Sequence, residues 1–207
     1  MRATKSAAVD DCVDLADPGT FSDTNSLRMR AIARDDMVVL RATHQVQKLL
    51  RVAVDEAAVS EGVLGDWYVK RFVVDRRPLL MMMSAVSLFP IITPARDVRS
   101  LPKRLGGVVS DRLKRIGVDD TLVLREVATM TSVAVGGTKN RSVMGSLVDF
   151  CKLTALTLPI NGWDEGSLLE VEAFLQGTPC RCGRPGYQVI FPGDRTRQLL
   201  EVNPVAG

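Results

Sequence analysis

Between residues 37 and 93 the chain sets down four short runs rich in β-branched and apolar residues, at 37–43, 67–74, 79–83 and 87–93, with polar or proline-bearing segments between them. Runs of this length suit strands rather than helices, and the charged turn Asp75-Arg76-Arg77-Pro78 between two of them reads as a hairpin. The economical expectation is an antiparallel meander. Helical signals flank it. Val46, Leu49 and Leu50 fall at helical spacing in 45–52. After Ser100-Leu101-Pro102, a capping serine with an early proline, Leu101, Leu105, Val108, Val109, Leu113 and Ile116 form one stripe that Gly117 closes.

A short helix over 119–126 and a strand over 132–135 come next. Past Gly136-Gly137, Asn140 is placed to cap a helix running to about residue 156, with Val143, Leu147, Val148, Phe150, Cys151 and Ala155 as its buried stripe. Pro159-Ile160-Asn161-Gly162-Trp163 breaks that pattern, and a tail follows with a helix over 167–175 and a strand over 187–191. The fold expected is α+β: a meander-type sheet packed by amphipathic helices, with an appended C-terminal segment. Residues 1–36 carry turn clusters such as Asp17-Pro18-Gly19 and no sustained apolar period, so they read as a flexible leader, with Met29 and Met37 as alternative starts. The organisation is then leader 1–36, domain 37–158 and extension 159–207.

Charge singles out the middle. Residues 1–36 hold 5 Lys and Arg against 7 Asp and Glu, residues 37–158 hold 18 against 11, and residues 159–207 hold 4 against 6, so a basic domain has acidic flanks within a net charge of +3. Such a surplus favours a polyanion, although solubility alone also accounts for it. No apolar run approaches the roughly 20 residues a membrane-spanning helix needs, since residues 78–92 are broken by Ser84, Ser87 and Pro90. No membrane contact is expected. A basic N-terminus without an apolar stretch behind it, and four scattered cysteines, point to a reducing cytoplasm. Cys180-Arg181-Cys182 is too tight for the usual zinc pair and has no partner pair, so no metal and no cofactor are expected.

Several blocks carry a likeness. Leu40-Arg41-Ala42-Thr43, Lys48-Leu49-Leu50, Asp66-Trp67-Tyr68, Asp75-Arg76-Arg77, Leu88-Phe89 and the long run from Thr138-Lys139-Asn140-Arg141-Ser142 to Asp149-Phe150 resemble a bacterial and phage family of uncharacterised domains, known as a domain of unknown function. The resemblance covers residues 37–158 and implies the domain limits without implying an activity.

Two clusters are candidate sites. Thr138, Lys139, Asn140, Arg141 and Ser142 stand at a Gly-Gly turn entering a helix, where free amides, the helix dipole and two cations can converge on an anion; a plain helix cap is the alternative. The spacing is not that of a Walker loop. Asp75, Arg76 and Arg77 offer a phosphate clamp, an internal ion pair or simply a polar turn. Trp67-Tyr68 reads either as an exposed pair for stacking on nucleic acid or as a core anchor. His44 is the single imidazole, so with Asp75, Asp66 or Asp149 it is the candidate acid/base; Thr43 and Ser142 lack a nucleophile elbow, and Cys151 reads as structural. Met81-Met82-Met83 reads as core filling. The function expected is a non-catalytic binding or regulatory module engaging a partner protein or nucleic acid through Arg76, Arg77, Lys139 and Arg141. The alternative is an enzyme acting on a phosphorylated small molecule or nucleotide, which requires the two turns to line one pocket.

Overall fold

The computed structural model describes residues 37–158, 164–182 and 188–202. The leader 1–36, the breaker 159–163 and Tyr187 lie outside the described residues. Five strands form one sheet: β1 (Met37–Ala42), β2 (Trp67–Val74), β3 (Arg77–Ser84), β4 (Pro90–Pro94) and β5 (Ser132–Gly137), in the order β4-β3-β2-β1-β5. The β2-β3-β4 portion is the antiparallel meander, with Val74 opposite Arg77 and Met83 opposite Pro90. Strand β1, however, runs parallel to both neighbours, with Leu40 opposite Trp67 and Arg41 opposite Gly136. The sheet is therefore mixed, which corrects the expectation of an antiparallel meander. The reason lies in β1 itself: Met37-Val38-Val39-Leu40 has no polar alternation, as suits an interior strand covered on both faces and reached by long crossovers.

Helices cover both faces. Helices α1 (His44–Leu50), α2 (Leu101–Arg115) and α3 (Asp120–Ala128) pack Val46, Leu105, Val109, Leu113 and Val123 against Leu40, Trp67, Val69 and Met82 on one face. Helices α4 (Arg141–Thr157) and α5 (Glu165–Gln176) pack Leu147, Phe150, Leu168 and Leu175 against Tyr68, Met81 and Met83 on the other. The methionine triplet thus feeds both cores through the two-residue period of a strand, and all three side chains are fully buried. Trp67 and Tyr68 are buried too, so they are core anchors and not an exposed stacking pair. On α4 the buried stripe takes Thr154, while Ala155 is exposed. A small ribbon, β6 (Cys180–Cys182) with β7 (Gln188–Ile190), and a helix the sequence reading missed, α6 (Pro192–Val202), complete the described fold.

The two helical layers are tied together at the open edge of β4. An edge strand leaves backbone groups without ladder partners. Here the Ile92 N–H donates to Glu172 Oε1 of α5 at 2.7 Å, while Glu172 Oε2 accepts from Arg112 Nε of α2 at 2.7 Å. Both side chains are buried, and Arg112 also pairs with Asp111. Removal from water pushes the Glu172 carboxyl up to about 7 despite the pull of Arg112. Burial likewise raises Glu126 of α3, whose two oxygens accept the amides of Val63 and Leu64 at 2.9 and 3.1 Å.

A raised carboxyl binds its proton more tightly in the folded chain than in the unfolded one. The stability Glu172 contributes is therefore fully present below its ordinary value of 4.5 and is lost as pH rises through about 7. Glu172→Gln should cost about 1–2 kcal/mol at pH 5, where it replaces a protonated carboxyl bonded to Ile92 and Arg112, and less at pH 8. In denaturant unfolding, the gap between wild type and variant should be wider at pH 5 than at pH 8. A gap that widens towards pH 8 would show that the ion pair outweighs burial.

Candidate functional site: a basic groove at one end of the sheet

Strand β2 runs five residues beyond Val69, its last residue paired with β1, and turns at Asp75-Arg76 into β3. The turn has two residues, both with positive φ, 44° at Asp75 and 66° at Arg76. This is a type I′ hairpin, the geometry that follows the twist of the flanking strands and that normally selects Asn-Gly. An arginine in the left-handed region is strained. Its side chain is exposed, beside Arg77.

Next to this hairpin, β4 ends in Pro94-Ala95-Arg96, and Asp97 caps the single 3-10 turn Val98–Ser100 that leads into α2. Three adjoining grooves of about 740, 590 and 400 Å³ meet at Arg96, which lines all three. The largest adds Lys48, Arg51, Arg71 and Arg99; the second adds Arg104 and Arg112; the third adds Arg76 and Arg77. The apolar walls come from Leu49, Val98, Val108 and Leu168, and the Arg112–Glu172 clamp brings Arg112, Ile92 and Leu168 into one floor.

Carboxylates balance only part of this surface: Asp97, Asp111 and Glu165 match Arg96, Arg104 and Arg112 in the second groove, whereas the largest has Asp97 alone against Lys48, Arg51, Arg71, Arg96 and Arg99, and the third has no carboxylate in its lining. Asp97 accepts the Ser100 amide, and its carboxyl is held below the usual range first by Ser100 and further by Arg104 and Arg99. Asp111 is likewise held low, by Arg115 first and then Arg112. Arg99 faces Asp97 in this way, while no salt bridge among the described residues takes up Arg71, Arg76 or Arg96. The result is a band of cations around one end of the domain, on a shared concave surface.

The other predicted residues lie elsewhere. Thr138, Lys139, Asn140, Arg141 and Ser142 are all exposed where β5 passes into α4. Asn140 caps that helix, its Oδ1 accepting from the amides of Ser142 and Val143, and its own N–H donates to Tyr68 Oη at 3.0 Å. The groove beside Arg76 and Arg77 has no lining residue from this turn. His44 is exposed at the first position of α1, and Asp75 is exposed at the hairpin. The Cys151 thiol, pushed up to about 12 by burial, is an inert core group.

Asp66, a candidate partner for His44 in the sequence, instead pairs with Arg41 in the sheet. Arg41, only 3% exposed, donates from Nε to Asp66 Oδ2 at 2.7 Å and from Nη2 to the Ala58 carbonyl at 2.8 Å. Asp66 Oδ1 also accepts from Ser60 Oγ at 2.6 Å. The Leu-Arg-Ala-Thr and Asp-Trp-Tyr blocks are therefore partners, linked by a buried charge pair. An arginine inside an otherwise apolar strand was the available signal. Arg71, Arg96 and Arg99 were also missed, because only the fold gathers them from β2 and the β4–α2 connection.

Fold and surface together define a three-layer α/β/α domain with a mixed five-stranded sheet and a basic groove at one end. Residues 39–194 match the family model of a domain of unknown function, DUF6933, which is well over half of the chain, and the protein belongs to that family. The matched stretch runs from β1 into α6 and so includes Arg41, Arg96, Arg112 and Glu172. No curated protein matches the chain.

Two glycines give a paired test of this packing. A Cβ on Gly136 would collide with Arg41 Nη1 and come within 3.1 Å of the Asp55 carbonyl, whereas one on Gly145 of α4 would meet nothing within 4 Å. Gly136→Ala should destabilise by about 1–3 kcal/mol, and Gly145→Ala should be neutral or stabilising by up to about 1 kcal/mol. Denaturant midpoints of the two variants check both.

Proposed function

We propose that this domain is a non-catalytic module that binds nucleic acid through its phosphate backbone. The observation that supports the reading is the convergence on Arg96 of three adjoining grooves whose cations, Lys48, Arg51, Arg71, Arg76, Arg99 and Arg104 among them, come from separate elements of the fold. Guanidinium groups spread over several neighbouring grooves can meet successive phosphates, and phosphate contacts position a nucleic acid without reading its sequence. No aromatic side chain lines the three grooves, so base stacking has no part in the reading. The left-handed Arg76 adds weight: at a turn position that suits glycine, the strained arginine places a cation in the groove it shares with Arg96. The enzyme alternative has less support, because His44, Asp75 and the 138–142 turn line no common groove among those described.

Arg76→Gly separates fold from function. It should leave stability unchanged or raise it by up to about 1 kcal/mol, by relieving the positive φ. At the same time it should weaken binding to a fluorescent single-stranded or duplex oligonucleotide. Wild-type affinity should fall steeply with salt, and Arg76→Gly and Arg96→Gln should each reduce the slope of log K against log salt by about 0.7–0.9. Salt-insensitive binding, or slopes unchanged in both variants, would refute the reading.

A further inference from the structure

The β1–β5 junction is a second place where the fold collects anion-binding groups, and it is separate from the groove. The chain leaves β1 into α1 on one face of the sheet and leaves β5 into α4 on the other. Adjacent parallel strands whose connections diverge in this way open a crevice at their carboxyl ends. Here that crevice receives the Gly136-Gly137 amides, Lys139 and the start of the 17-residue α4.

An internal carboxylate already sits in it. Glu56 Oε1 accepts the Gly137 N–H at 3.0 Å, Lys139 Nζ lies 4.0 Å from Glu56 Oε2, and Lys139 also donates to the Glu56 carbonyl. Both side chains are more than half exposed, 60% for Glu56 and 51% for Lys139, on a connection whose residues 51–57 are all exposed. This is a weakly held contact that a competing anion can displace. Beneath it the donors are in surplus. Arg41 Nη1 is buried against Gly136 with no hydrogen-bond partner, and Oγ1 of Thr43, the residue between β1 and α1, is also buried and unpartnered. Tyr68, abreast of Arg41 on β2, accepts at its oxygen from Asn140, which leaves its own O–H to donate.

We infer that the β1–β5 crevice is a binding site for a phosphate group, and that Glu56 occupies it as an internal substitute which the ligand displaces. A tetrahedral oxyanion there takes the Gly137 N–H and Lys139 from Glu56, and movement of the 51–58 connection opens Arg41 Nη1 and Thr43 Oγ1 to its remaining oxygens. A Cβ on Gly137 would fall 2.6 Å from Glu56 Oε1, so the strand runs close against the carboxylate position.

The test is titration of the full chain with inorganic phosphate, following the Gly137 amide by NMR and affinity by calorimetry. Wild type should bind weakly with the largest shifts at Gly137 and Thr43, Glu56→Gln should bind about tenfold more tightly, and Lys139→Gln should lose most of the binding. If Glu56→Gln folds poorly, Glu56→Asp, whose shorter side chain retracts from Gly137, should show the same tightening. Arg96→Gln should leave the phosphate affinity at Gly137 unchanged. Shifts confined to the surroundings of Arg76 and Arg96, or equal affinity in wild type and both Glu56 variants, would overturn the inference and leave the groove reading intact.

Discussion

Taking a carboxylate out of water costs several kcal/mol, and at Glu172 two donors from different layers offset part of that cost. One is the Ile92 amide of the edge strand, the other the Arg112 guanidinium of α2. With those bonds made, α5 cannot shift along β4 without stranding a buried charge, and α2 cannot shift without losing the same partner. The end of β4, the Asp97 turn and the start of α2 therefore hold a fixed relation, and the cavity floor at Ile92, Arg112 and Leu168 is set by that clamp. Arg96 lies where this fixed edge meets the β2–β3 hairpin.

Two buried arginines serve different ends. Arg112 stays within structure, its charge met by Glu172 and Asp111. Arg41 is met by Asp66 but keeps one nitrogen without a partner at the mouth of the β1–β5 crevice. Exposed cations divide similarly. Lys139, Lys114, Arg115, Lys152 and Arg197 lie within ion-pair distance of carboxylates, while Arg71, Arg76 and Arg96 take part in no salt bridge among the described residues. The field of the domain is thus concentrated at one end, where ionic strength governs any association.

Much of the local structure was legible. The hydrophobic stripe of α2, the Asn140 cap, the β2–β3 turn and the strand character of 132–135 all follow from spacing and turn chemistry, and the structure shows each. Strand direction was not legible, because periodicity reports which face a residue takes and says nothing of what lies beside it; the parallel placing of β1 rests on pairings 27 and 95 positions apart, at Leu40–Trp67 and Leu40–Val135. The site followed the same division. Arg76 and Arg77 stood out because they are adjacent in a turn, whereas Arg71, Arg96 and Arg99 look like ordinary surface charges until the fold gathers them. At the 138–142 turn the sequence displayed the donors but not Glu56, which comes from some 80 residues earlier to meet them.

The central claim is that the Arg96 end of the domain is its binding surface. Amide hydrogen exchange on the full chain, with and without a saturating oligonucleotide at low salt, tests it most directly. Slowed exchange at residues 75–77 and 96–104, with the α6 face unchanged, is the predicted footprint. Protection centred on α6 or the β6–β7 ribbon, with the hairpin and the Asp97 turn exchanging as in the free protein, would contradict it.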